Sequence, residues 1–362
     1  MQSDLDSSSL STSTSDQSLA DYFSRIAIVR TNVCQQDFAT KEAFIAEQEV
    51  INRAEQVKQA IEQLNIAVKI FPADQQLVEN LQQFQPQLCF NFVDTVKGQG
   101  GLAAGIPGIF DLLSIPYVGA GTLSLSLNTN KFLTKTLFDA WGVPTPKYQI
   151  VRTPGQKIEN YFRYPLIAKL NEEHGSIAIH DDSVVINEKE LRQRIKWLLE
   201  TYHQPVLIEE FIENATEITG LVLEGRNTNL YLAQREFDKP AENRFKLLSF
   251  ETKWATDLGM EEPVEYITPT QLDKNTINSI KKDMKLAFNI LRMDDYGRFD
   301  IMIDQYQNYY FIDANANPSF GPESSAVRAA TVSGANFEQI LRHLLLRNQL
   351  DLVENDKLID ND

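Results

Sequence analysis

The stretch from Tyr296 to Pro318 reads as a β-hairpin carrying metal ligands. Its first arm, Tyr296-Gly297-Arg298-Phe299-Asp300-Ile301-Met302-Ile303-Asp304, alternates polar Arg298, Asp300 and Met302 with apolar Phe299, Ile301 and Ile303. That is the period of a strand with one buried face. The second arm, Tyr309-Tyr310-Phe311-Ile312-Asp313-Ala314-Asn315, is aromatic and β-branched and suits pairing with the first. If Asp304 and Tyr309 close the turn, an antiparallel ladder places Asp300 opposite Asp313 and Arg298 opposite Asn315. Opposed Cβ atoms lie about 4.5 to 5.5 Å apart and like charges so placed repel, so a cation belongs between the two carboxylates. Hard oxygen ligands on a two-strand platform suit Mg²⁺, which takes one or two carboxylates and leaves other positions to water and phosphate oxygens. Arg298 then faces the same phosphates. A solvated acidic face is the plain alternative.

The chain is indeed acidic: 34 basic against 50 acidic residues give a formal charge of -16 over 362 residues. Such a surface argues against nucleic acid or anionic membrane as partner, so phosphate must be met by a few local cations. With four histidines there is little material for a histidine-built metal site, and Cys34 and Cys89 lack metal-ligand spacing, which points to small structural thiols in a reduced compartment. Residues through Ser24 are rich in Ser, Thr, Asp and Gln and read as a disordered tail without a signal-peptide core. No apolar run reaches the 18 or so residues of a membrane helix. A cytoplasmic protein acting on small molecules is expected.

From Arg25 strand and helix alternate: strands at Arg25–Arg30, Ile66–Phe71 and Gln87–Val93, helices at Lys41–Leu64 and Asp74–Phe84. This order implies a parallel sheet with ligand loops at its carboxyl end. Gly98, Gly100, Gly101, Gly105 and Gly108 follow the third strand but match no strict nucleotide fingerprint. A helix through Asn130, Lys131 and Asp139 ends at Gly142 and Pro144. Tyr164–Leu170 is a strand with Lys169 near its end, suited to phosphate contact or merely solvated. Glu188–Tyr202 is an amphipathic helix. Val206–Ile212 is a buried strand whose Glu209 and Glu210 either flank a base edge or are plain edge residues. Strands at Glu217–Leu223 and Asn229–Phe237 follow. Glu242–Gly259, around Phe250-Glu251-Thr252-Lys253-Trp254, has the irregular polar character of a cover loop. Thr270–Leu291 and Phe337–Leu346 are helices, and an acidic tail closes the chain.

Lys131, Lys169, the Glu209 to Glu217 stretch, Lys253 and the hairpin residues Arg298, Asp300, Asp313 and Asn315 occur in the order and approximate spacing of the ATP-grasp ligases. The chain resembles their D-alanine:D-alanine ligase branch from Arg25 to about Leu346. The resemblance implies an α/β ATP-grasp fold: an N-terminal parallel-sheet domain (25–128), then central (129–213) and C-terminal (214–347) α+β domains clamping ATP, between tails at 1–24 and 348–362. Position by position it implies Lys131 and Lys169 at the α- and β-phosphates, with Ser176 in the lid loop. Glu209, Phe211 and Ile212 would line the adenine slot and Glu217 would take the ribose hydroxyls. Lys253 would reach the γ-phosphate, while Asp300, Asp313 and Asn315 would hold two Mg²⁺ ions. Arg298 would stabilise the transferring phosphoryl group, and Ser324 would meet the carboxylate of the incoming amino acid. By analogy with relatives a homodimer is implied.

Departures from that pattern fall on the first-substrate pocket. The family's first loop holds an ammonium-binding glutamate that Thr31-Asn32-Val33-Cys34-Gln35-Gln36 does not supply, and its His-Gly-x-x-Gly-Glu-Asp-Gly segment corresponds to Lys97–Ala104 without the histidine or the acids. The lid reads Glu173-His174-Gly175-Ser176, the cover-loop tyrosine is Trp254, the metal glutamate is Asp313, and the glycine after Pro318 is Ser319. A D-alanine dipeptide is therefore not the expected product. The whole chain is similar to the branch that condenses mycosporine-glycine with serine or threonine, and Lys97 would suit the carboxylate of that first substrate; a D-alanine or other dipeptide ligase, or a nucleotide-binding protein that has lost catalysis, are the alternatives.

Overall fold

The computed structural model describes residues 16–225, 227–237, 249–250 and 264–359. The cover-loop residues Lys253 and Trp254 lie outside them.

The order begins with α1 (Asp16–Tyr22) and β1 (Arg25–Arg30). Residues 16–24 correct the expectation of a tail, because Leu19 and Phe23, one helical turn apart, are buried against the first sheet. Two apolar residues are too few to stand out in a Ser/Thr-rich window. Helix α2 (Lys41–Glu62) starts where the Thr40 hydroxyl accepts the Ala43 N–H. β2 (Ala67–Pro72), α3 (Leu77–Phe84), β3 (Leu88–Phe92), α4 (Gly100–Ala103), α5 (Gly105–Leu112) and β4 (Tyr117–Val118) complete a parallel sheet in the order β2-β1-β3-β4. β1 lies between β2 and β3, so the chain reverses direction of winding there, and the crevice beyond the carboxyl ends of β1 and β3 is where such sheets bind ligands.

After α6 (Thr122–Thr129), helix α7 (Lys131–Trp141) opens with Asn130 accepting the Leu133 N–H and ends at Gly142 with φ of 74°. It leads to an antiparallel sheet of β5 (Tyr148–Val151), β6 (Leu166–Leu170), β7 (Val184–Val185) and β8 (Val206–Glu210), ordered β5-β8-β6-β7 and backed by α8 (Glu188–Tyr202).

The third sheet is antiparallel: β9 (Thr216–Leu223), β10 (Asn229–Phe237), β11 (Val264–Ile267), β12 (Tyr296–Ile303) and β13 (Tyr309–Asn315), in the order β11-β10-β9-β12-β13. Helix α9 (Lys274–Ile290), capped by Asp273, covers one face through Ile280, Met284 and Phe288. The other face carries Leu221, Leu223 and Tyr296, which share a core with Ile26 and Phe90 of the parallel sheet and with α10 (Ser325–Thr331) and α11 (Phe337–Ile359). Each such fully buried aliphatic or aromatic side chain contributes about 1.5 to 3 kcal/mol, so this shared core holds the first and third sheets at a fixed angle across the ligand crevice. The expected tail from 348 is corrected as well: α11 continues past Leu346, and Asn348 is buried with its amide donating to Asp295.

Candidate active site

The expected pairs form. Asp300 is opposite Asp313 and Arg298 opposite Asn315, but the ladder does not count back evenly from the turn. Ile303 pairs with Tyr309, Met302 with Tyr310 and Ile301 with Phe311, and the register then shifts between Asp300 and Ile301. Ile312 is the extra residue of a β-bulge. Strict alternation would put Phe311 and Asp313 on one face. The bulge instead buries Phe311 and Ala314 together and turns Asp313 and Asn315 to the other side with Asp300.

The bulge also faces the central sheet, where consecutive residues of β13 meet lysines. Lys135 Nζ reaches the Phe311 carbonyl at 3.4 Å, Lys169 Nζ the Ile312 carbonyl at 3.3 Å, and Lys131 Nζ the Asp313 Oδ1 at 3.2 Å. Lys169 and Lys135 further share Glu209 Oε1, at 2.9 and 3.3 Å. Burial would raise the Asp313 carboxyl, but Lys131, Lys169 and Arg298 outweigh it and hold it at about 2. Asp313 is therefore a carboxylate at any working pH.

Asp300 is met from its other side. Arg235 in β10 bonds Asp300 Oδ1 at 3.0 Å and also pairs with Glu217, which stands directly opposite it across β9 and β10. Arg298 bonds Asp300 Oδ2 at 3.3 Å and donates to Ser325 Oγ at 3.2 Å. Asn315 Oδ1 accepts the Asn317 N–H at 3.0 Å, which folds the chain back toward the parallel sheet, where Asn317 donates to the Asn91 carbonyl.

Of the residues singled out from sequence, Lys131, Lys169, Glu209, Glu217, Arg298, Asp300, Asp313 and Asn315 converge here. Phe211 and Ile212 follow directly on β8, with the Phe211 N–H on the Pro165 carbonyl at 3.1 Å. Ser176 lies in the lid loop with φ of 59°. That loop docks on α2: the Ala178 N–H meets Glu42 Oε2 at 3.4 Å, and His180 and His174 face Glu42 and Glu47 at 3.4 and 4.0 Å. His174 is half-buried against that helix. Lys97 is exposed at the tip of a two-residue turn in which Val96 and Gln99 exchange both backbone hydrogen bonds. Its neighbour Gly98, φ 69°, is required there, since a Cβ would lie 2.0 Å from the Asp37 carbonyl oxygen. Ser324 is engaged as the N-cap of α10, accepting the Val327 N–H and donating to the Gly321 carbonyl. Ser325 is the one turned to Arg298.

Sequence reasoning missed Lys135, Arg235, Ser325 and Arg53. Lys135 was findable, because it lies one helical turn beyond Lys131 and so on the same face of α7. Arg53 had no local signal. It projects from α2 into the crevice of the parallel sheet, where its Nη2 bonds Asp94 Oδ2 at 2.9 Å and its Nη1 lies 3.4 Å from Glu49 and bonds the Ser319 hydroxyl. Beside it Glu47 is buried and accepts the Thr95 hydroxyl at 3.0 Å. Burial first, and Asp94 second, raise the Glu47 carboxyl above its ordinary range.

Comparison with known proteins decides the family. Residues 137–346 match the family model described as the D-ala D-ala ligase C-terminus, more than half of the chain. The chain belongs to the D-alanine:D-alanine ligase family. Its curated relatives include an uncharacterized protein of Sinorhizobium fredii, 24% identical over 81% of this chain and 86% of the relative. Another is the D-alanine--D-alanine ligase of Methylibium petroleiphilum, 29% identical over 77% and 84%. Among solved structures, the D-alanine--D-alanine ligase of Bacillus anthracis complexed with ATP superposes with a TM-score of 0.69 at 16% identity, over 92% of this chain and 99% of that one. The VanG D-Ala:D-Ser ligase of Enterococcus faecalis gives 0.64 at 18%, over 90% and 99%. The expected ATP-grasp fold and the expected enzyme class, an ATP-dependent carbon–nitrogen ligase, are those of this family. No helix among the described residues is long and apolar enough to cross a membrane.

The donor set of this family member fits Mg²⁺. Two carboxylates and an amide oxygen lie on adjacent strands, one carboxylate is ionised far below neutral pH, and all the donors are hard oxygens.

Proposed function

We propose that this family member is an Mg²⁺-dependent, ADP-forming ligase that phosphorylates an oxygen of an acceptor and joins that centre to the amine of a small amino acid. The observation that carries it is the convergence of Lys131, Lys169 and Arg298 on the Asp300–Asp313 pair. Phosphoryl transfer asks a protein for position and for neutralisation of spread negative charge, more than for covalent chemistry.

Lys131 and Lys169, partly open to the site, take the α- and β-phosphates, and Glu209, Phe211 and Ile212 border the adenine. Asp300, Asp313 and Asn315 would hold Mg²⁺, which when bound would neutralise charge on the phosphate oxygens. Arg298, anchored by Asp300 and Ser325, lies between those ligands and the loop after Pro318, where it stabilises the moving phosphoryl group. The amine then attacks the resulting acyl phosphate, or its enol equivalent, losing a proton and expelling inorganic phosphate as the carbon–nitrogen bond forms. Docking of the lid loop on α2 keeps water from reaching the activated acceptor first. On this reading the residues at 129–213 form the lid unit and those at 214–347 the catalytic unit.

The acceptor is a second matter. The loops beside the crevice where the first substrate would sit, Thr31–Gln36 and Lys97–Ala104, depart from the D-alanine ligase pattern, and the crevice itself holds Glu47, Arg53, Asp94 and Ser319. That difference supports the finer reading, mycosporine-glycine joined to serine or threonine as an imine, over D-alanine with D-alanine or D-serine. The test is ADP release by the full chain with Mg-ATP and each substrate pair, with absorbance followed for the first. A red-shifted absorbance with serine supports the mycosporine pair. ADP release only with D-alanine moves the assignment to the dipeptide, and no ADP with any pair rejects the ligase.

A further inference from the structure

Three lysines reach β13, and they are not equivalent. The side chains of Lys131 and Lys169 are 13% and 12% exposed, whereas that of Lys135 is 2% exposed and closed off behind them. It touches no open surface from which a ligand could reach it. Its ammonium instead bonds Thr145 Oγ1 at 2.8 Å, lies 3.3 Å from Glu209 Oε1 and reaches the Phe311 carbonyl at 3.4 Å, while Thr145 donates to that same carbonyl at 2.9 Å. One buried cation thus joins α7, the loop between α7 and β5, β8 and the β13 residue just before the bulge.

A lysine without solvent is retained only where its partners compensate for the lost hydration. Here the compensation is shared with a residue proposed above to bind nucleotide, because Glu209 Oε1 is held by Lys135 on one side and by Lys169 on the other. We propose that Lys135 is a positioning residue for nucleotide binding, fixing Glu209 against Lys169 and fastening α7 to the bulge at Phe311 so that both groups are set before ATP arrives. This inference rests on the nucleotide-binding reading of the same site.

The charge environment gives it a signature that a space-filling role would lack. Lys135 is faced by Glu209 from β8, Lys169 from β6, Asp313 from β13 and Lys131 one turn back on its own helix. Burial lowers the Lys135 ammonium to about 8, against the pull of Glu209 and with the push of Lys169. A neutral Lys135 no longer holds the carboxylate on its side, and Glu209 is left to Lys169 alone.

The test is calorimetric titration of Mg-ATP into the full chain, wild type against Lys135→Gln and Thr145→Val, from pH 6.5 to 9.5, with melting curves alongside. Thr145→Val loosens the ammonium without removing its charge and serves if Lys135→Gln does not fold. Lys135→Gln is expected to weaken nucleotide binding about tenfold at pH 7, as loss of a charged hydrogen bond does, and Thr145→Val by a smaller factor. Wild-type affinity is expected to fall as pH rises through about 8, and that fall is expected to be absent in Lys135→Gln. Variants that bind Mg-ATP like the wild type, or that melt earlier yet keep its pH profile, overturn the inference and leave the ligase reading standing. A wild type that binds no Mg-ATP overturns both.

Discussion

Asp300 and Asp313 face one another across β12 and β13 because Ile312 is left out of the ladder between them. The bulge flips the alternation of β13, so that Asp313 leaves the face on which Phe311 is buried. It also turns the Ile312 carbonyl toward Lys169. The direction of the Asp313 side chain and the placement of Lys169, proposed to meet phosphate, are thus two consequences of one inserted residue.

Deleting Ile312 separates the two consequences. With the residue gone, the ladder runs evenly from Ile303–Tyr309 and still brings Asp313 opposite Asp300 on the correct face. Lys169, however, loses its carbonyl. The deletion is expected to fold, with a melting midpoint near that of the wild type, and to bind Mg-ATP several-fold more weakly by calorimetry. A protein that binds normally would show that the bulge serves only the ladder.

Asp313→Asn is expected to lower ADP release by about 100-fold or more, since it removes a proposed metal ligand and, on the same reading, a charge facing the phosphates. Its effect on stability has a defined pH window. The carboxyl is held at about 2 against an ordinary 3.8, so its ionisation stabilises the fold above 3.8 and that contribution is lost as pH falls from there toward 2. Between pH 5 and 8 the difference in melting midpoint between wild type and variant should be flat. A difference that grows or shrinks in that range would contradict the assigned charge state.

The hairpin was legible because its evidence is local: period two, turn length and opposed carboxylates all follow from adjacent residues. The residue-by-residue resemblance reached the lysines and Glu209 for the same reason, each lying at the end of a strand or the start of a helix. What sequence could not give was the bulge, since Ile312 is an ordinary strand residue whose exclusion is decided by which neighbours are buried. Neither could it give Arg53, whose partners Asp94 and Ser319 come from separate loops. The tails were misjudged where a few apolar residues, Leu19 and Phe23 among them, dock onto a core built far away in the chain.

A pH response of the opposite sign is expected at the back of the site. Asp295 is buried with the Gly119 N–H on its Oδ2 at 2.8 Å and Arg347 on its Oδ1 at 2.6 Å. Burial raises its carboxyl to about 7, with Arg347 opposing. A raised value means the contribution to stability is full below 3.8 and is lost as pH climbs through 7. Asp295→Asn, which cannot ionise, should therefore gain on the wild type as pH is raised from 4 to 7, and the gap should stay constant above 8. Thermal melts across that range check it, and parallel curves would rule out Asp295 as the titrating group.

Arg53 carries the last prediction. Burial alone would lower its hold on a proton, but Glu49 and Asp94 keep it above the ordinary arginine range. Removing one partner of a buried pair is more costly than removing both, because the other charge is left without compensation. Arg53→Met should therefore cost about 3 kcal/mol, and Arg53→Met combined with Asp94→Leu distinctly less. If the crevice is also where the acceptor sits, the double variant, folded again, should still bind Mg-ATP like the wild type while its KM for the acceptor rises. That separation follows from the geometry, since Arg53 bonds the Ser319 hydroxyl in the loop after Pro318, while the proposed nucleotide residues lie on the central sheet and the hairpin. Denaturant titration gives the energies, and initial rates at saturating ATP give the split. A fall in ATP affinity equal to the rise in acceptor KM would place Arg53 in the general scaffold rather than in the acceptor pocket.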